Sequence, residues 1–299
     1  MIAKHLFLHS RQWLSPVDTY ALRGLCMIMI VTSHVVDTSA TDFYKLWGGW
    51  GTGVFFFLSG YGLFHSLSRR CPDGHWLWRK MRKLMEPYLL MWAVYLIFFI
   101  IFDRQRLTTH LLHEFLTLSM PGLAAWFFKV ILGLYILDYL VFRLRVSNTM
   151  RLAIVTIACL LWYIVARRAG LGPWWFNTVL CFPFGMAVAL WYPLFERRHK
   201  LFLLPMAVLT LAWAFTSWGF VPYLWFTATA IYLLRWLDIT SPILQFIGTQ
   251  SLFFYFLEVP ANDFLLLTCP YHPVIYVILA LIICYLITWG YLRAKRQLQ

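Results

Sequence analysis

Arg23 and His34 stand eleven positions apart in the otherwise apolar stretch from Leu22 to Val35. On a helix, eleven steps return to within roughly 20° of the starting face and climb roughly 16 Å. The two side chains therefore share a stripe. A guanidinium and an imidazole are costly in hydrocarbon, so the stripe points to a protein interior or a watery cavity. The plainer readings are an arginine that snorkels to the headgroups and a satisfied core histidine. An imidazole, with an unperturbed pKa of about 6.5, suits removal of a proton from a hydroxyl at neutral pH, and it could also carry a transferred group itself. Direct attack, with His34 as base, is the preferred reading.

Two further charges fall inside apolar spans, Lys129 and Glu258. Their depth predicts convergence with His34. Glu258 would orient or charge-balance the ring, and Lys129 would balance the pocket or hold a substrate. A structural Lys–Glu pair accounts for them equally well. Arg79, Lys80, Arg82 and Lys83 form a dense basic cluster, suited to phosphates but also normal for a cytoplasmic loop. Gly48, Gly49, Gly51 and Gly53 open the second apolar span. They offer either backbone N–H donors for an oxyanion or close helix packing, the latter favoured. Ser59 and Tyr61 read mainly as packing and polar glue, with Ser59 as a nucleophile unsupported by any Ser/His spacing. Trp126, Tyr135 and Tyr255 are candidates to line a pore. His110 and His113 could bind a metal, but a solvated interfacial helix explains them better, and no metal is expected.

The elements that must position these groups follow from composition. The 299 residues are 62% hydrophobic and 12% charged, too apolar for a soluble domain and typical of a polytopic membrane protein. Ten apolar spans are legible, near 20–37, 47–68, 84–102, 124–144, 151–166, 176–194, 201–217, 219–234, 243–265 and 273–292. An even count puts both termini on one side. Lys4, Arg11, Arg23, Arg69, Arg70, Arg79, Lys80, Arg82, Lys83, Arg143, Arg145, Arg151, Arg197, Arg198, Lys200, Arg235, Arg293, Lys295 and Arg296 gather on that side, and Lys45, Arg104, Arg106, Arg167 and Arg168 on the other. Short cytoplasmic loops are rich in Lys and Arg, so both termini are expected in the cytoplasm. The expectation is an all-α integral membrane protein of about ten transmembrane helices. It forms one membrane domain over 1–299, with no appended soluble domain and no cleavable signal. The net charge of +13 is spread through loops, which argues for membrane lipids as partners and against nucleic acid. The six cysteines include no CxxC pair and read as small buried hydrophobes.

Several motifs carry a resemblance. Arg23 to His34 resembles the arginine-ten-residues-histidine motif of the integral-membrane acyltransferase 3 family. Gly51-Thr52-Gly53-Val54-Phe55-Phe56-Phe57-Leu58-Ser59-Gly60-Tyr61 resembles its second-helix signature. Arg79-Lys80-Met81-Arg82 followed by Pro87-Tyr88 resembles its RxxR loop. Trp126-Phe127-Phe128 with Leu132-Gly133-Leu134-Tyr135 resembles its fourth-helix motif, and Gly248 through Pro260 its late segment. Two positions depart: Ile131 stands where many members carry glutamate, and Glu258 where the late motif usually has histidine. The resemblance implies a multi-pass protein of the bacterial cytoplasmic membrane. It would move an acyl group, most often acetyl from acetyl-CoA, to a hydroxyl of an envelope glycan or lipid-linked sugar. Arg23 with Arg79, Lys80, Arg82 and Lys83 would receive the acyl-CoA, and an open shaft would bring the thioester to His34. A homo-oligomer is compatible with it. The rivals are a transporter or flippase for lipid-linked sugars, against which no inverted repeat is visible, and a degenerate member acting as a sensor or scaffold.

Overall fold

The computed structural model describes residues 13–35, 42–68, 71–102, 104–121, 125–234, 236–237, 239, 241–270 and 272–297. Lys4, Arg11, Arg69, Arg70 and Arg235 of the charge pattern lie outside them. The described residues form helices and no strand: α1 (Pro16–Val35), α2 (Asp42–Leu67), α3 (Gly74–Phe102), α4 (Thr109–Leu116), α5 (Trp126–Phe142), α6 (Asn148–Arg168), α7 (Cys181–Leu190), α8 (Tyr192–Arg197), α9 (Leu203–Phe215), α10 (Val221–Leu233), α11 (Pro242–Thr249), α12 (Ser251–Thr268) and α13 (Pro273–Gln297).

Helix starts follow local chemistry. Ser15 caps α1, its Oγ accepting from the Asp18 N–H at 3.3 Å and donating to the Asp18 carboxylate at 2.6 Å, with Pro16 at the first helical position. Ser147 and Ser241 cap α6 and α11 in the same manner. Such caps satisfy N–H groups that the helix itself leaves free.

Among the described residues, three helices are long and apolar enough to cross a membrane: Gly74–Ile101, Asn148–Arg168 and Pro273–Gln297. Their outward faces are apolar. Ile157, Leu161 and Val165 of α6 and Ile275, Ile278, Ile282 and Leu286 of α13 are exposed. A bundle with bare aliphatic sides suits lipid. Two expected spans are built differently. The one near 243–265 is broken at Gln250 into α11 and α12. The one near 176–194 is a short helix, α7, entered through a turn at Pro173–Trp175 and left through α8. Apolar composition predicts burial in hydrocarbon but does not reveal where a helix breaks.

The centre is made of α1, α2, α7 and α11, held closely enough for backbone contact. A methyl group added at Gly24 would strike the Leu244 carbonyl oxygen of α11, and one at Gly248 the Tyr20 carbonyl oxygen of α1. Gly60 and Gly185 make the equivalent crossing of α2 with α7, against Phe182 and Phe57. Small residues let helices approach when no water is expelled to drive them together. This clamp fixes the rotation of α1, and with it the directions of Arg23 and His34.

Candidate functional site

α12 packs on α1, α3 and α13, bringing Glu258 to the C-terminal part of α1. His34 Nδ1 lies 2.7 Å from Glu258 Oε1. The carboxylate side chain is 2% exposed and the imidazole 43%. An ionised carboxylate only accepts hydrogen bonds, so this pairing puts the ring hydrogen on Nδ1 and leaves Nε2 with a lone pair. The second carboxylate oxygen is buried with no partner among the described residues. Tyr95 and Cys284 lie within charge range of Glu258. The proline at 260 in α12 has no N–H to give to the Phe256 carbonyl, which loosens the helix beside Glu258.

A cavity of about 110 Å³ lies among α1, α2, α3, α5 and α12. It is lined by Arg23, Met27, Ile30, Thr52, Phe55, Ser59, Leu84, Phe127, Ile131, Tyr135, Ser251, Leu252 and Tyr255. Arg23 sits at one end, close to Tyr135 and Tyr20, and Ser59 adjoins the Tyr135 hydroxyl. The Arg23 Nε is buried without a hydrogen-bond partner among the described residues. The basic cluster begins α3 just before Leu84. Arg79, Arg82 and Lys83 are exposed, and Lys80 lies over the Trp76 ring and near the charge of Arg23. Glu86 bonds Lys295 and the Tyr291 hydroxyl, tying α13 to α3 beside the cluster.

The cavity's lining includes neither His34 nor Glu258. His34 is one turn beyond Ile30 on α1, and Glu258 one turn beyond Tyr255 on α12, past the last residues that line the cavity. The rings of Phe55, Phe127 and Tyr255, which line the cavity, pack on one another at 6.0 Å and 5.8 Å between centroids. The cavity and the pair are thus neighbours along α1 and α12.

The other sequence-derived candidates divide. Tyr135, Ser59 and Tyr255 line the cavity. Trp126 does not, packing instead on Phe56 and Phe127. Tyr61 stacks on Phe57 and His65 away from it. Lys129 bonds neither His34 nor Glu258. Its Nζ donates to Ser119 Oγ at 2.8 Å and sits over the Trp175 ring. The glycine run is not at a helix start, because α2 begins six residues earlier at Asp42. Its N–H groups are therefore interior to the helix, and Gly49 and Gly53 face Tyr223 and Thr227 of α10 at packing distance. On α4 the His110 and His113 rings stack and His110 pairs with Glu114 at 3.6 Å in an exposed position. Among the described residues no three His, Cys, Asp or Glu side chains converge on a metal position. All six cysteines are free.

Sequence reasoning missed Phe127, Thr52 and Ser251 of the cavity wall, and it missed Asp138. That residue is fully buried in α5, one turn from Tyr135, and both its oxygens lack a partner among the described residues. The signal was available: an acid inside an apolar span, as at Glu258.

These features define a helical membrane protein with a mostly apolar internal cavity ending at Arg23 and a buried carboxylate paired with an imidazole beside it. The sequence model of the acyltransferase 3 family, an acyltransferase domain, matches residues 20–293, so the chain belongs to that family and is a membrane acyltransferase. No curated protein and no solved structure matches it.

Proposed function

We propose that this acyltransferase takes a short acyl group, acetyl above all, from acyl-CoA on the cytoplasmic side. It delivers the group to a hydroxyl of an envelope glycan or lipid-linked sugar on the other side of a bacterial cytoplasmic membrane. The reading includes ten crossings with both termini in the cytoplasm. The observation that carries it is the 2.7 Å contact between His34 Nδ1 and Glu258 Oε1, in a chain of acyltransferase sequence.

Glu258 holds the ring in the tautomer whose Nε2 carries no hydrogen, and offsets the positive charge that the ring gains when it takes a proton. Nε2 removes the proton of the acceptor hydroxyl as the oxygen attacks the acyl carbon. The carbon–sulfur bond then breaks, and the imidazolium returns the proton to the leaving thiolate. Glutamate at this position does the orienting work of an acid–base partner, so its departure from the family pattern is compatible with activity. The phosphates of the donor fit Arg79, Lys80, Arg82 and Lys83, which are exposed or half-buried. The unpartnered Arg23 Nε fits a polar part of the donor entering the cavity. Thr52, Ser59, Ser251 and Tyr135 supply polar edges along an otherwise apolar wall. The thioester reaches His34 only when the Phe127 and Tyr255 rings turn aside, which makes them a gate between donor and acceptor.

The test is acetyl transfer from labelled acetyl-CoA by the full chain in vesicles carrying extracted envelope glycans. Label in the glycan that depends on both His34 and Glu258 supports the reading. Full transfer by His34→Ala overturns it.

A further inference from the structure

A second cleft lies outside this machinery, between α5 and α6. It has a volume of about 230 Å³ and is walled by one face of α5, by Ala158, Cys159 and Trp162 of α6, and by Trp175. We infer that it is a binding slot for one phospholipid with an anionic headgroup, the phosphate meeting Lys129 and an acyl chain lying along α5 over Gly133.

Charge supplies the first argument. Lys129 is half-buried in the first turn of an apolar helix and bonds only the neutral Ser119 hydroxyl, with no carboxylate in salt-bridge range among the described residues. A cation held in a bundle without an anion calls for one from outside. Shape is the second. From Lys129 the α5 wall runs through Gly133 to Leu137, about 12 Å at 1.5 Å per residue, and is apolar throughout. Gly133 keeps the floor open, since a methyl group there would meet nothing within 4 Å. Depth is the third. The Trp162 indole N–H bonds the Trp175 carbonyl at 2.9 Å, and the exposed Trp174 and Trp218 lie at the same end of the bundle. Indoles gather at headgroup level, which sets Lys129 where a phosphate would be and the slot where a chain would be.

The inference does not depend on acyl transfer, and its test uses no donor. The full chain, exchanged into nanodiscs of phosphatidylcholine with phosphatidylglycerol added, is released and its retained lipids are counted by native mass spectrometry. One phosphatidylglycerol per chain is expected, preferred over phosphatidylcholine by roughly tenfold, the scale of one charge-assisted hydrogen bond. Lys129→Gln should keep a lipid but lose the preference. Gly133→Leu, which fills the slot from α5, and Ala158→Leu, which fills it from α6, should each lose the lipid of either kind; having both guards against one of them misfolding. Equal retention in wild type and both filling variants overturns the proposal. So does an undiminished preference in Lys129→Gln, or displacement of the lipid by millimolar inorganic phosphate, which would mark a site for a soluble anion.

Discussion

Glu258 and Asp138 are the same chemistry in two settings. Both are buried acids in apolar helices, 1% and 0% exposed. Glu258 gives one oxygen to His34, a ring that reaches the surface. Asp138 gives neither oxygen to any described partner, and its neighbours are the Tyr135 and Cys159 side chains. A buried polar group is costly unless paired, so the difference separates a carboxylate with an imidazole partner from one with no hydrogen-bond partner among the described residues. An acid within a span is thus a flag for attention, and its partner decides whether the flag marks chemistry.

The sharpest way to break this comparison is at the paired acid. His34→Ala should remove acyl transfer almost entirely, and Glu258→Gln should lower kcat by about 10²–10⁴-fold, the usual worth of an acid–base group. Both should leave elution and helix content unchanged. If Glu258→Gln works at full rate, Glu258 is merely a satisfied buried acid like any other. At the gate between cavity and pair, Phe127→Ala should change turnover by about tenfold or less, in either direction. Its diagnostic is increased hydrolysis of acetyl-CoA without an acceptor, because water then reaches the acyl carbon. Wild-type hydrolysis in that variant would mean the rings separate nothing.

Smaller effects test the frame. Gly24→Ala and Gly248→Ala each push a methyl into a carbonyl oxygen of the facing helix, and each should cost about 1–3 kcal/mol of stability, read from thermal denaturation in detergent. Asp138→Asn is the smallest. Transfer should stay within about twofold and stability should hold or rise by up to about 2 kcal/mol, because neither carboxylate oxygen has a hydrogen bond to lose among the described residues. A large loss of activity there would erase the contrast with Glu258.

Much of this protein was legible one residue at a time. The helical membrane character follows from apolar length, which is a property of local composition. The shared stripe of Arg23 and His34 follows from the pitch of a helix, and the family from motifs spread along the chain. Glu258 could be singled out as a charge in a span. Its contact with His34 joins residues 224 positions apart, and that depends on how α12 docks on α1. The same limit explains the errors. Lys129 has the depth expected of a partner to His34, yet the rotation of α5 turns it toward Trp175. The glycines of α2 look like the start of a helix, yet the helix begins at Asp42. The cavity at Arg23 is lined by residues of five helices, and its lining stops a turn short of His34. Sequence determined which groups exist and at what height, because pitch and hydropathy are local. Only the tertiary structure decided which of them meet, because helix rotation is set by glycine crossings whose two sides lie far apart in the chain.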